Sequence, residues 1–315
     1  MRILRRRHGA AFIAAAIATL VLWPGRADAL MFETVKLDSG RTVLLVRDCG
    51  GQGFKDKDCP EWAESFSTGD ADRLRAAMNA RIDEVWLISG GGNLDEGVKV
   101  GEVLRQFQAT VRVPKGYRCV SACTVAFLGG AFRIVDDGAT YEVHAASGYL
   151  DDANEFRNED VVKRMAYNVE DELARFAVDE RKSARYWAAR LVPYFQQSLL
   201  PLGQHANSAA RFERWRDQSG TVAYTASQTL KDDAERIRRE GLPAAQETIM
   251  RIERDSMHDA IGELRAIVGD LGPRAGPALD ILDAMYSSRI TLTAALSHET
   301  MLKMGYVTAF IDPPK

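Results

Sequence analysis

Glu84-Val85-Trp86-Leu87-Ile88-Ser89-Gly90-Gly91-Gly92-Asn93 carries an apolar, partly β-branched run straight into three glycines. A helical pattern follows over about residues 94–107, with Val98, Gly101, Val103, Leu104 and Phe107 on or near one side. Strand, turn and amphipathic helix in that order are half of a layered α/β unit. The alternation extends both ways. Upstream, Thr42-Val43-Leu44-Leu45-Val46 predicts a strand, and Ser67-Thr68-Gly69-Asp70 offers cap residues for a helix through Leu74 and Met78. Downstream, Thr110-Val111-Arg112-Val113 predicts a short strand and residues 121–128 a buried helix of small side chains. Residues 132–135 and 141–143 predict two more strands, so residues 30–150 read as an α/β layered domain.

From residue 151 to 280 the strand signals nearly vanish. Val161, Met165, Val169, Leu173 and Phe176, then Ile249, Ile252, Ile261, Leu264 and Ile267, recur at helical spacing. Breakers at Pro193, Pro201-Leu202-Gly203, Ser219-Gly220, Gly241-Leu242-Pro243 and Gly272-Pro273 divide this segment into helices. It reads as a large all-α insertion (151–280), after which residues 281–315 return to the core with a helix and a short strand near Tyr306 to Phe310. His205 and His258 lack metal-ligand spacing and read as surface residues.

The 315 residues are 46% hydrophobic and 27% charged, which excludes collagen-like and disordered classes. A net charge of -3 speaks against a nucleic-acid partner, which needs a basic face. Arg2, Arg5, Arg6 and Arg7 precede an apolar run over residues 10–23, and Ala27-Asp28-Ala29 follows. A basic start, a short apolar run and A-x-A predict a secretory signal peptide, residues 1–29, cleaved after Ala29. The run has about 14 residues where a membrane-spanning helix needs roughly 20. The expected location of the mature chain is the periplasm or the exterior.

An oxidising compartment gives the four cysteines a meaning. Cys49 and Cys59 bracket a charged, glycine-rich loop with little apolar surface to hold it, and a disulfide is expected there. Cys119 and Cys123 fit either a bridge or two buried thiols. The spacings C-x9-C and C-x3-C do not form a zinc site, and no metal or other cofactor is expected.

Three segments carry the chemistry. The Ser89-to-Asn93 turn can turn backbone N–H groups toward a site at a helix N-terminus. Arg118-Cys119-Val120-Ser121-Ala122-Cys123-Thr124 sets a serine at the start of a small-residue helix, where it could equally be an N-cap. Tyr141-Glu142-Val143-His144-Ala145 ends a strand on a histidine. A hydroxyl, a base and oxyanion donors are what acyl transfer requires.

In this order the segments resemble the Clp-type serine peptidases of the ClpP/crotonase superfamily, and above all their exported bacterial relatives. The likeness rests on Cys119, Ser121, Ala122, Cys123, Phe127, Leu128, Gly129, Gly130, Arg133, Val143 and His144. The glycine turn and the C-terminal Leu296-Ser297-His298-Glu299 with Met304-Gly305-Tyr306-Val307-Thr308 add to it. The resemblance implies an α/β fold of repeated ββα units wound into a superhelix, with Ser121 as nucleophile and His144 as base. It implies Gly91 and Gly92 as oxyanion donors. The family's aspartate would fall near Arg289, where no carboxylate stands, and Asp280 and Asp283 upstream are the substitutes. A dyad, a substitute acid and an inactive remnant all stay open.

The function so implied is a periplasmic serine hydrolase acting on peptides or small esters. The alternative is a non-catalytic exported binding or scaffold protein on a degenerate fold of this type. Export removes the chain from cytosolic CoA and ATP, against an acyl-CoA enzyme and an ATP-driven unfoldase partner. Homo-oligomerisation stays open. The helical insertion leaves directly after the His144 strand and is expected to cap the site, with Trp187, Trp215, Tyr186, Tyr194 and Phe195 lining a cleft or packing on the core.

Overall fold

The computed structural model describes residues 30–48, 65–78, 81–144, 159–218, 228–287, 294–295, 298–304 and 307. The expected signal peptide, the Cys49–Cys59 loop and most of the closing strand lie outside the described residues.

The chain is a mixed α/β protein. β1 (Met31–Lys36) and β2 (Thr42–Arg47) form an antiparallel hairpin. α1 (Asp70–Ala77), β3 (Glu84–Ile88), α2 (Leu94–Gln106) and β4 (Thr110–Val113) follow. Next come β5 (Arg118–Val120), α3 (Ala122–Leu128), β6 (Phe132–Val135) and β7 (Thr140–Val143). The large sheet has the order β1-β2-β3-β4-β6, parallel from β2 onward. β5 and β7 pair in parallel in a second sheet, completed by antiparallel β8 (Ala294–Ala295). Each of the pairs β4-β5 and β6-β7 therefore puts its first strand in the large sheet and its second in the small one.

Strand positions follow from burial. In β3, Glu84, Val85, Leu87 and Ile88 are buried and Trp86 between them is half-buried, as expected of a parallel strand covered on both faces. Arg112 on β4 is a buried charge in this interior, and it is satisfied by Glu84 on β3 at 3.0 and 3.1 Å and by Asp136 after β6. Burial alone would raise the Glu84 carboxyl; hydrogen bonds from Arg112, Trp86 and Arg41 outweigh it and hold the group below its usual range.

The helix layer closes through missing side chains. A β-carbon on Gly97 of α2 would lie 2.7 Å from the Ala122 carbonyl oxygen of α3, and one on Gly129 would lie 2.0 Å from the Gly101 carbonyl oxygen. α2 and α3 thus approach closer than any side chain there permits.

The rest is helical: α4 (Glu159–Leu199), α5 (Ala209–Gln218), α6 (Gln228–Glu240), α7 (Leu242–Ala266), a 3-10 turn (Val268–Leu271), α8 (Ala275–Ser287) and, after β8, α9 (His298–Met304). Pro193 does not end a helix as the breaker pattern predicts. It sits inside α4, where tertiary packing outweighs the one backbone bond it forfeits. α4 bends instead at Asn168, whose φ of -149° and ψ of 41° are not helical.

The helices do not sit apart from the sheets. Tyr194 donates to the Val125 carbonyl at 2.7 Å, and Leu191, Val192 and Phe195 belong to the same buried cluster as Val98, Val103, Val125 and Phe127. Arg190 reaches Glu102 at 3.3 Å, and Arg105 donates to the Leu200 carbonyl at 2.9 Å. α4 therefore runs alongside α2 in the same sense, and residues before Arg190 continue past the α2 N-terminus. A second cluster joins Val169 and Leu173 to Leu230, Ile237 and Ile252, away from the sheets. Of the aromatics expected to pack on the core or line a cleft, Tyr194 and Phe195 are buried core, Trp187 and Trp215 pack against it, and Tyr186 is exposed.

Candidate active site

Both sheets meet at Ser89. Its N–H donates to the Arg118 carbonyl at 3.1 Å, and the Val120 N–H donates to the Ser89 carbonyl at 3.0 Å. The first residue beyond β3 thereby pairs with β5, and the glycine turn starts at this junction. Ligand sites of α/β sheets favour such carboxyl ends of parallel strands.

The turn is held from behind by Asp48, a fully buried carboxylate that follows β2. One of its oxygens accepts the Ser89 hydroxyl and the Gly90 N–H, and the Ser89 oxygen in turn accepts the Gly91 N–H at 3.0 Å. On the other side, Phe66 donates its N–H to the Gly91 carbonyl at 2.8 Å and accepts from the Asn93 N–H at 2.9 Å. Asn93 caps α2 by accepting from the Glu96 N–H. Gly91 and Gly92 hold φ of 111° and 130°, which explains why glycines stand there.

The expectation that Gly91 donates to an oxyanion needs correction, because its N–H is engaged by Ser89. Among the described residues, the N–H groups of Gly92 and of Ala122, the first residue of α3, have no acceptor. Gly91 serves by lacking a side chain: a β-carbon there would lie 2.5 Å from Ser121 Cβ and 3.1 Å from Ser121 Oγ.

Ser121 joins β5 to α3 with φ 56° and ψ -125°, a backbone conformation few residues other than glycine adopt. Such strain costs of order 1–3 kcal/mol and persists only when neighbours enforce it. They do so here. The Ser121 N–H donates to the Glu142 carbonyl of β7 at 3.1 Å, and its carbonyl accepts from the Thr124 N–H and hydroxyl at 2.9 and 2.6 Å. Tyr141 donates its hydroxyl to the Thr124 carbonyl at 2.8 Å. Cys119 and Cys123 are joined in a disulfide with Cα atoms 5.3 Å apart, which settles the choice between a bridge and free thiols. The N-cap alternative fails: the Ser121 side chain makes no cap bond. It is half-buried at the surface.

His144 follows β7 directly and is half-buried. The register pairs Val120 with Glu142, so continuing it sets Ser121 beside Val143 and one residue short of His144. The fold thus brings the serine, the glycine turn and the histidine strand to one junction.

Asp280 and Asp283 do not join them. Asp280 lies exposed and Asp283 half-buried on α8, where Arg265 of α7 holds them at 2.9 and 3.1 Å, and His258 stands 3.6 Å from Asp283. The 13 residues of α8 pack against the other helices, so the carboxylates point to a surface ion-pair cluster. His205 is exposed. No group of three or more His, Cys, Asp or Glu among the described residues is placed to hold a metal. Among the same residues, no helix is long and apolar enough to cross a membrane.

No protein-family model matches the chain, and no curated protein matches it. Among solved structures, a Streptomyces coelicolor A3(2) protein named as a candidate enoyl-CoA hydratase is similar at 16% identity, covering 82% of this chain and 91% of that one, with a TM-score of 0.25. So loose a superposition carries no argument about fold or chemistry.

Proposed function

We propose that this chain is an exported serine hydrolase of the ClpP/crotonase type, acting on peptides or small esters through an acyl-enzyme. The observation that carries the reading is the backbone of Ser121: a serine held at φ 56° on a strand-to-helix turn, its side chain against a glycine turn and its N–H on the strand that leads to His144. A non-glycine residue kept in such a conformation by many neighbours marks a functional position.

In the mechanism, His144 takes the Ser121 proton as Oγ attacks the substrate carbonyl. The oxygen of the tetrahedral intermediate is held by the Gly92 and Ala122 N–H groups, aided by the α2 N-terminus. Collapse forms the acyl-serine while imidazolium returns its proton to the leaving amine or alcohol, and water then repeats the cycle. With Asp280 and Asp283 engaged by Arg265, the imidazolium is supported without them, as a dyad. The repeated split of strand pairs between two sheets supports the superhelical fold. The part of α4 that continues past the α2 N-terminus supplies the cap.

The second reading, a non-catalytic scaffold, is favoured by that engagement of both candidate acids. Turnover of nitrophenyl esters separates the two: the hydrolase reading expects activity lost in Ser121→Ala and in His144→Ala, and the scaffold reading expects none in the wild type.

A further inference from the structure

We propose that the Cys119–Cys123 disulfide is a positioning element, which holds Ser121 in the strained backbone conformation that presents its hydroxyl, so that the serine reacts at its full rate only in the oxidised chain. The functional half of this rests on the hydrolase reading; the mechanical half does not.

The bridge spans the strained residue symmetrically. Cys119 is the middle residue of β5, Cys123 the second residue of α3, and Ser121 lies midway between them with φ 56° and ψ -125°. Val120 and Ala122 are the remaining residues of the loop so closed. Fixing both ends of a five-residue loop removes the local rearrangements by which a residue at positive φ would relax to the β or α region. The other restraints on Ser121 hold one side each: Glu142 holds its N–H, and Thr124 its carbonyl. The bridge adds to the main chain a second covalent tie between the strand before the serine and the helix after it.

Burial decides what kind of device this is. Both cysteines are 0% exposed in the main buried cluster, with Cys119 paired to Tyr141 across the small sheet. A thiolate must reach a sulfur to open a disulfide, so solution thiols have no path in the folded chain. The bridge is a lock set once during folding in an oxidising compartment.

The test uses full-length mature protein, wild type and Cys119→Ala/Cys123→Ala, with Leu173→Ala in the remote helical cluster as a control for general destabilisation. A crystal structure of the double variant reads the Ser121 φ, and the rate of fluorophosphonate labelling reads its reactivity. The proposal expects Ser121 to relax to negative φ and labelling to slow by at least about tenfold, with the affinity for the reagent little changed, while Leu173→Ala labels at the wild-type rate. A double variant that keeps positive φ and labels like wild type overturns it. A wild type that never labels, with Ser121 relaxed in the double variant, sinks the hydrolase reading and leaves the lock standing. If the double variant does not fold, wild type unfolded under reductant, alkylated and refolded carries the same measurements; native φ at Ser121 in that product would overturn the proposal.

Discussion

A β-carbon on Gly91 would fall 2.5 Å from the β-carbon of Ser121, so the glycine turn and the serine share a space that no side chain can enter. The Val120 carbonyl at 2.9 Å closes the same space from the strand side. The contact is between backbone-anchored atoms, and neither partner can swing away.

Gly91→Ala is therefore expected to displace Ser121 and to lower stability by about 1–3 kcal/mol. Gly90→Ala is its control, since a β-carbon there meets only Asp48 Oδ2 at 3.8 Å, an ordinary contact. Denaturant melts should separate the two variants, and ester turnover should fall with Gly91→Ala alone.

Two further glycines should respond with opposite signs. A β-carbon on Gly101 would lie 1.9 Å from Tyr194 Oη and 2.9 Å from its ring carbon, so Gly101→Ala forces α2 away from α4 and should cost roughly 1–3 kcal/mol or more. Gly262 lies exposed in α7 with nothing within 4 Å. Gly262→Ala should stabilise by about 0.5–1 kcal/mol. Thermal melts that move together would contradict this packing of α2 on α4.

Glu180 on α4 and Glu253 on α7 are buried together, and one Glu180 oxygen has no hydrogen-bond partner among the described residues. Burial, then the charges of Glu253 and Asp179, push Glu180 up to about 8; burial pushes Glu253 up to about 7. Tyr286 on α8 feels both carboxylates and is likewise raised, chiefly by its own burial. A carboxyl raised in the folded state stabilises fully below its unfolded value, and that contribution is lost as pH rises through the folded value. Each group thus contributes up to about 1.4 kcal/mol per pH unit between its unfolded and folded values. Stability should fall from about pH 5 to about 8, and Glu180→Gln with Glu253→Gln should flatten that fall. An unchanged slope in the double variant would contradict the assignment.

Much of the fold is legible because burial leaves a pattern. β3, β4 and β6 have the bounds their apolar runs predict, since strands covered on both faces need such runs. β5 has three residues, too few for any period, and β1 alternates weakly at an exposed edge. The site is less legible. Asp48 looks like any charged residue after a strand until the fold buries it beneath the turn. A positive φ normally announces itself as glycine, and at Ser121 the chain keeps the hydroxyl instead. Asp280 and Asp283 are ion-paired instead to Arg265 and His258, which come from a helix whose placement no local pattern reveals.

The mass of one peptide tests Ser121 as the nucleophile most directly. The purified protein, treated with a fluorophosphonate and digested, should carry a single adduct on Ser121, absent in Ser121→Ala and strongly reduced in His144→Ala. A wild-type protein that stays unmodified, or one modified at any residue but Ser121, would contradict it.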